Sequence, residues 1–195
     1  MSLNEVGTFM RGRRFTNKDF VKSGIGCIHY GEIYTHYKLS AFETKTFVRP
    51  ELAATLRMAK KGDLIIAATG ENVQDVCKAV AWLGEDDVAV HDDCYIFSHS
   101  MNPKYVSYFF QSSHFNKQKI KYAAGAKVTR VSADNLERIR MPVPSPARQR
   151  EIVSILDHFN ALVNDLSIGL PAELNARRQQ YEYYRDRLLT FREVA

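Results

Sequence analysis

The sequence predicts an α+β chain: a mixed α/β domain built on a twisted β-sheet, then a long C-terminal helical region with coiled-coil-like spacing. Three observations predict it. Short apolar runs bounded by Gly or Asp/Asn clusters recur through the first three-quarters of the chain. Apolar residues then take up a helical spacing and hold it almost to the end. Between the two lies Met141-Pro142-Val143-Pro144-Ser145-Pro146, whose alternating prolines forbid a helix and favour an extended connector. The expected division is residues 1–144 and 145–195.

Taken in order, the strand-like runs are Gly26–Tyr30, Leu64–Thr69, Ala79–Leu83, Val88–His91 and Cys94–Ser98. Lys61-Gly62-Asp63 is a turn feeding the buried strand Leu64–Ala68. Asn102-Pro103 is a cap followed by a first helical residue, and it opens an aromatic helix over Lys104–Ser112. A second helix is expected over Asn116–Tyr122. Ser132 caps a short turn through Leu136, and Arg138–Val143 is expected to return as a strand. Ser145 and Pro146 then begin the C-terminal helix. Its apolar stripe is Ile152, Ile155, Leu156, Phe159, Leu162, Val163 and Leu166, with seven-residue steps from Ile152 to Phe159 to Leu166. A second stripe holds Leu174, Tyr181, Tyr184, Leu188 and Phe191, one residue out of phase. Gly169 and Pro171 lie at the phase break, so a kink or short interruption is expected there. A continuous helix over 146–191 would span roughly 69 Å at 1.5 Å per residue and overhang its domain. Its stripe needs a partner: a second copy, another subunit, or a matching helix. The plainer reading is two ordinary helices folded back on the preceding domain.

The composition divides at the same place. The 195 residues carry 27 Lys plus Arg against 22 Asp plus Glu, a net charge of +5. Residues 1–143 hold 20 of the bases and 15 of the acids, so the whole excess is theirs, and every base after 143 is Arg. The hydrophobic share of 45% is that of a globular chain and excludes disorder. No apolar run is longer than Leu64–Ala68, which is too short to span a membrane. The N-terminus lacks a basic-then-apolar leader. Three cysteines, Cys27, Cys77 and Cys94, without paired spacing read as reduced cytoplasmic thiols.

Two basic clusters stand out. The first is Arg11-Gly12-Arg13-Arg14-Phe15-Thr16-Asn17-Lys18. The second lies in the forty residues Cys94–Ala133, which contain no acid but hold Lys104, Lys117, Lys119, Lys121, Lys127 and Arg130. One-sign stretches with interleaved aromatic and amide residues suit a polyanion. The opposing reading is a solvated face whose acidic partners lie elsewhere. Arg11, Arg13, Arg14, Lys18, Lys117, Lys119, Lys121, Lys127 and Arg130 are the expected DNA-facing side chains. Motifs for nucleotide phosphates, serine nucleophiles and zinc are missing. His91-Asp92-Asp93 has metal-ligand chemistry, but adjacent residues alternate faces on a strand, so a loop or strand end is expected. Glu43-Thr44-Lys45 resembles the tail of a nuclease motif without its preceding Asp.

An ordered set of segments resembles the specificity subunits of type I restriction–modification enzymes. They are Leu3-Asn4-Glu5-Val6-Gly7 running to Arg11–Thr16; Ile25-Gly26-Cys27-Ile28-His29-Tyr30-Gly31-Glu32-Ile33-Tyr34; Lys61-Gly62-Asp63-Leu64-Ile65-Ile66-Ala67; Gly125-Ala126-Lys127-Val128-Thr129-Arg130; and Ile139–Pro144 leading into Arg148-Gln149-Arg150-Glu151-Ile152. The tail from Leu170 to Asp186 is similar to one subgroup. The resemblance implies a target recognition domain followed by a helical conserved region, without catalysis of its own. It implies double-stranded DNA and modification (methyltransferase) subunits as partners, with a restriction subunit in the full complex. S-adenosylmethionine, ATP and Mg²⁺ would serve those partners. A full subunit carries two recognition domains, so this chain resembles half of one: a natural half-subunit that forms a homodimer through its helix, or a piece of a longer chain. Two rival readings are a self-sufficient nuclease or methyltransferase, and a coiled-coil adaptor that does not bind DNA.

Overall fold

The computed structural model describes residues 1–123, 129–165 and 171–190. Its strands, in chain order, are β1 (Gly7–Arg11), β2 (Phe20–Val21), β3 (Ile25–Ile28), β4 (Ser40–Ala41), β5 (Thr46–Val48), β6 (Met58–Ala59), β7 (Leu64–Ala67), β8 (Thr69–Gly70), β9 (Ala79–Trp82), β10 (Val88–Val90), β11 (Cys94–His99) and β12 (Thr129–Arg130). The α-helices are α1 (Leu3–Val6), α2 (Tyr30–Thr35), α3 (Pro103–Gln111), α4 (Ser113–Lys119), α5 (Ala133–Glu137), α6 (Pro146–Asp165) and α7 (Pro171–Leu188). No helix among the described residues is long and apolar enough to cross a membrane.

One sheet has the order β1-β11-β7-β9-β4 and a second the order β2-β5-β3-β10-β6; β12 and β8 form a small ribbon. The first sheet is covered on both faces, which is why β7 reads as an unbroken apolar run rather than an alternation. Leu64 and Ile66 point to one side, with Ala79, Ala81, Tyr95 and Phe97, and meet α3. Ile65 and Ala67 point to the other, with Val80, Trp82 and Ile96, and meet Val88 and Val90 of the second sheet and Ile33 of α2. Gly62 takes φ +98° in the turn before β7, a conformation that favours glycine.

Helix α3 is buried all round. Tyr105, Val106, Ser107, Tyr108, Phe109 and Phe110 are six successive buried residues. The Asn102 side chain accepts from the Lys104 and Tyr105 amides at 3.0 and 3.1 Å and so caps the helix as the sequence leads one to expect. The Tyr105 hydroxyl donates to the Pro142 carbonyl at 3.0 Å, and the Tyr108 hydroxyl to the Asp157 carboxylate of α6 at 2.7 Å. Buried aromatic hydroxyls thus end on partners from the connector and the C-terminal helix.

Two expectations are corrected. Arg138–Val143 is not a full strand. It runs extended beside the N-terminus, with one bridge between Ser2 and Arg140, and the bonds from the Leu3 amide to the Ile139 carbonyl and from Met141 back to Met1 are 2.9 and 2.8 Å. Nor is the C-terminal region one overhanging rod. Helix α6 ends at Asp165, and α7 starts at Pro171 and packs back along α6. The rings of Phe159 and Tyr184 stack with centroids 5.6 Å apart. Ile152 and Leu156 enter the main core together with Val153 and Leu189, while Tyr181 and Leu188 pack against it and Ile155 is half-buried. The stripe finds its partners in α3, in α7 and in the preceding domain. Polar contacts fix this docking: Gln149 is buried, accepts from the Asn102 amide at 2.8 Å and donates to the Pro144 carbonyl at 2.9 Å, and Lys104 pairs with Asp157. The expected contacts of Leu162, Val163, Leu166, Leu174 and Phe191, and the expected kink or interruption at Gly169, lie outside the described residues.

Because Leu156 is fully buried, Leu156→Ala should cost about 2–5 kcal/mol in chemical denaturation, whereas a Leu on a freestanding helix face would lose almost nothing. A second expectation concerns pH. Burial pushes the His99 imidazole down to about 4 from an ordinary 6.5. The unfolded chain therefore binds the extra proton first. Stability from this site is complete above about pH 6.5 and drains away as pH falls towards 4, by an amount of order 3 kcal/mol. Denaturation midpoints of wild type and His99→Gln across that range check this, and the variant should show a shallower acid slope.

Candidate nucleic-acid interface

The first basic cluster leaves the end of β1 and crosses from the first sheet to the second. Beside it the turn His91-Asp92-Asp93 makes the same crossing in reverse, between β10 and β11. Backbone bonds join the two crossings: the Gly12 amide donates to the Cys94 carbonyl and the Arg13 amide to the Val90 carbonyl, both at 2.9 Å. A Cβ on residue 12 would collide with the carbonyl oxygens of Val90 and His91, so only glycine permits this approach. The side chains add further ties. Arg11 Nε donates to the Asp92 carbonyl at 2.7 Å, and Arg57 donates to the Arg11 carbonyl at 2.5 Å.

His91 is the centre of the turn. Its Nε2 lies 3.0 Å from the Phe15 carbonyl, and its ring meets the Phe15 ring edge-on at 4.7 Å. Its Nδ1 lies 3.3 Å from the Asp93 amide and 3.2 Å from a carboxylate oxygen of each of Asp92 and Asp93. These three side chains could gather about a cation, since their ligand atoms lie within 4.8 Å of one another. They sit in a loop, as the alternation of a strand requires, and Arg11, Arg14 and Arg130 stand around them, which disfavours a metal ion there. Just beyond, the Thr16 amide and hydroxyl donate to Asp19 at 2.7 and 2.8 Å, and the Arg49 guanidinium paired with Asp19 holds its carboxyl at about 2. This short capped turn sets the course of Thr16–Lys18.

From the other side of the sequence, β12 pairs with β8, bringing Arg130 opposite Thr69. The next residue along, Ala68, donates to the Asp93 carbonyl at 2.8 Å. Arg130 therefore joins the turn from which it is separated by some forty residues of chain. The result is a groove of about 730 Å³ lined by the cations Arg11, Arg14, Lys18 and Arg130, by Thr16 and Asn17, and by Asp92 and Asp93. It can take a polyanion, with guanidinium groups for phosphate or guanine and amides and hydroxyls for further hydrogen bonds.

The two expected clusters do not merge as wholes. Arg13 is exposed beside the groove without lining it. Lys117 and Lys121 are exposed on α4 and the turn after it, away from the groove. Lys127 lies outside the described residues. Lys119 is a correction: it is buried, its ammonium donates to the Gln74 and Val76 carbonyls at 2.7 and 2.8 Å over the Phe115 ring, and burial lowers its pKa. It ties α4 to the loop before β9. The acid-free stretch is also explained. Part of it is α3 and β11, where acids are missing because the elements are core. The reading missed His91, Asp92, Asp93 and Arg57 as parts of the site, although His91-Asp92-Asp93 was visible as a polar turn. The cysteines are buried, and burial pushes Cys27 up to about 11 and Cys77 up to about 12, so these thiols are unreactive core groups.

Comparison with known proteins agrees with this picture. The model of the type I restriction modification DNA specificity domain matches residues 1–176. A type I restriction enzyme specificity subunit of Haemophilus influenzae is 29% identical over 171 residues, covering 80% of this chain and 40% of its own. The EcoR124I/EcoR124II specificity subunit of Escherichia coli is 36% identical over 88 residues, covering 45% of this chain and 22% of its own. The HsdS subunit from Thermoanaerobacter tengcongensis superposes with a TM-score of 0.61 at 14% identity, over 97% of this chain and 44% of that one, which shows a shared fold. This chain thus spans less than half the length of each of these relatives. With a match over nine-tenths of its length, it belongs to the type I restriction modification DNA specificity domain family.

Proposed function

We propose that this chain is the sequence-reading part of a type I restriction–modification specificity subunit, and that it recognises one half of a bipartite target in double-stranded DNA. The observation that carries the reading is the groove of Arg11, Arg14, Lys18 and Arg130, assembled from two distant basic segments in a chain of this family. Phosphates would take cations of the groove, and base edges would meet its remaining polar side chains. The chain contributes recognition, not catalysis. Methyl transfer from S-adenosylmethionine belongs to the modification subunit, and ATP- and Mg²⁺-dependent translocation and cleavage to the restriction subunit. A nuclease, a methyltransferase or an adaptor acting alone has no observation in its favour. The three free thiols suit a reducing cytoplasm.

Residues 145–195 act in this proposal as the helical conserved region, which spaces two recognition domains and docks modification subunits. The faces of Ile152 and Leu156 are already taken, so docking falls to outward side chains such as Tyr183, 57% exposed on α7. A two-fold homodimer would read a palindromic interrupted site, because symmetry copies the half-site. Half-sites one turn apart lie about 34 Å from centre to centre, which two such domains side by side can bridge.

The test is a salt titration of DNA binding. Replacing Arg14, Lys18 and Arg130 together by Ala should weaken binding to all sequences and flatten the slope of log K against log salt by about 3, at roughly 0.9 per phosphate contact. Lys117→Ala with Lys121→Ala should change the slope by less than 1. Equal slopes for wild type and the triple variant would refute the groove as the DNA site.

A further inference from the structure

The groove that we assign to DNA contains an anomaly. Two carboxylates, Asp92 and Asp93, lie among its cations, with side chains 32% and 31% exposed. Among the described residues neither forms an ion pair with Arg or Lys. The nearest side chain to both is His91, whose Nδ1 lies 3.2 Å from an oxygen of each, and Arg11 reaches only the backbone carbonyl of Asp92. A carboxylate facing a phosphate is repelled at contact distance and would only weaken a purely electrostatic groove. The turn cannot move them away, because the Asp93 carbonyl is bonded to the Ala68 amide and Gly12 locks the neighbouring backbone. The two anions are therefore held by the fold where the nucleic acid enters.

In a DNA major groove the acceptors are the guanine O6 and N7, the adenine N7 and the thymine O4. The donors are the amino groups of cytosine and adenine. A carboxylate accepts only. Against adenine it meets the N7 lone pair beside the amino group, whereas cytosine presents its N4 amino group beside a C5–H with no competing acceptor. We propose that Asp92 and Asp93 are specificity-determining residues that accept hydrogen bonds from the N4 amino group of a cytosine in the target half-site. Their charge excludes thymine and guanine edges, and His91, braced on the Phe15 carbonyl and 3.2 Å from an oxygen of each, keeps the pair in place. The neighbouring arginines suit the guanine edge or the phosphates on either side. This inference rests on the DNA reading and adds to it the base that the acidic turn selects.

The experiment is selection from random-sequence duplexes by the full-length subunit in complex with its modification subunit. Wild type is compared with Asp92→Asn, Asp93→Asn and the double Ala variant, and the melting temperature of each variant checks folding. Wild type should enrich a half-site with at least one fixed cytosine. The double Ala variant should relax that position, with a preference of roughly tenfold or more falling towards none, and leave the other positions intact. At least one Asn variant should move the choice towards adenine, since an amide can donate to N7 while accepting from N6. Affinity for unrelated duplex should rise in the Ala variant as repulsion is removed. A half-site unchanged in every variant, or a uniform loss at all positions in correctly folded variants, would overturn the inference and leave the DNA reading standing. A wild-type complex that enriches no sequence would overturn the DNA reading, and this inference with it.

Discussion

The site depends on one close backbone approach. Gly12 lies against the carbonyls of Val90 and His91, while its own amide reaches Cys94 and the next amide reaches Val90. Val90 ends a strand of the second sheet and Cys94 begins one of the first. One residue therefore pins both sheets at the point where two chain crossings pass each other. No side chain fits between them, so the spacing of the crossings is set by backbone contact rather than by packing. Arg11 and Arg14 flank that contact, and their positions relative to Asp92 and Asp93 inherit its rigidity. Binding elements held by backbone bonds on the rim of a packed sheet lose little entropy when they engage a partner.

How much of this could be read from the sequence depended on the range of the contact. Leu64–Ala67 reads as a buried strand because its environment is apolar on both faces, and Asn102-Pro103 reads as a helix start because capping is a matter of two or three residues. The Arg11–Lys18 cluster was visible for the same reason. The turn at 91–93 as its partner was not, because that pairing spans some eighty residues and no local spacing records it. Lys119 was misread although a local signal existed. On a helix Lys117 and Lys121 share a face four residues apart, while Lys119 lies on the face of Phe115, four residues before it. Following Phe115 into the core would have taken Lys119 with it.

The C-terminal region shows a related limit. A heptad stripe states that a helix has an apolar face and says nothing about what covers it. Here Asp157 and Gln149 decide. Asp157 takes the Tyr108 hydroxyl and the Lys104 ammonium, and Gln149 bridges the start of α3 and the connector. Both are polar residues beside the stripe, invisible to a hydrophobic pattern, and together they commit α6 to its own domain. With α7 laid along α6, the surface left for other chains is the polar and aromatic outer side of the pair.

The charge pattern follows the same architecture. Strand β10 runs from Val88 to Val90, and its two ends open onto different grooves. At His91 the walls are Arg11, Arg14, Lys18 and Arg130. At Val88, only about 10 Å away along the strand, the groove is edged by Glu43, Glu85, Asp86 and Asp87, around Phe42 and Trp82. The net charge of +5 understates this separation, because four of the acids that enter the count stand together at the far end of the strand. At physiological salt a field is screened over about 8 Å, so each groove acts almost on its own. A polyanion is drawn to the His91 end and repelled at the Val88 end, which would orient the domain on it. Within the attractive end, Asp92 and Asp93 oppose the cations locally. In the proposed reading, attraction comes from the excess of cations lining the groove, and selection from hydrogen bonds that the two carboxylates accept only on contact.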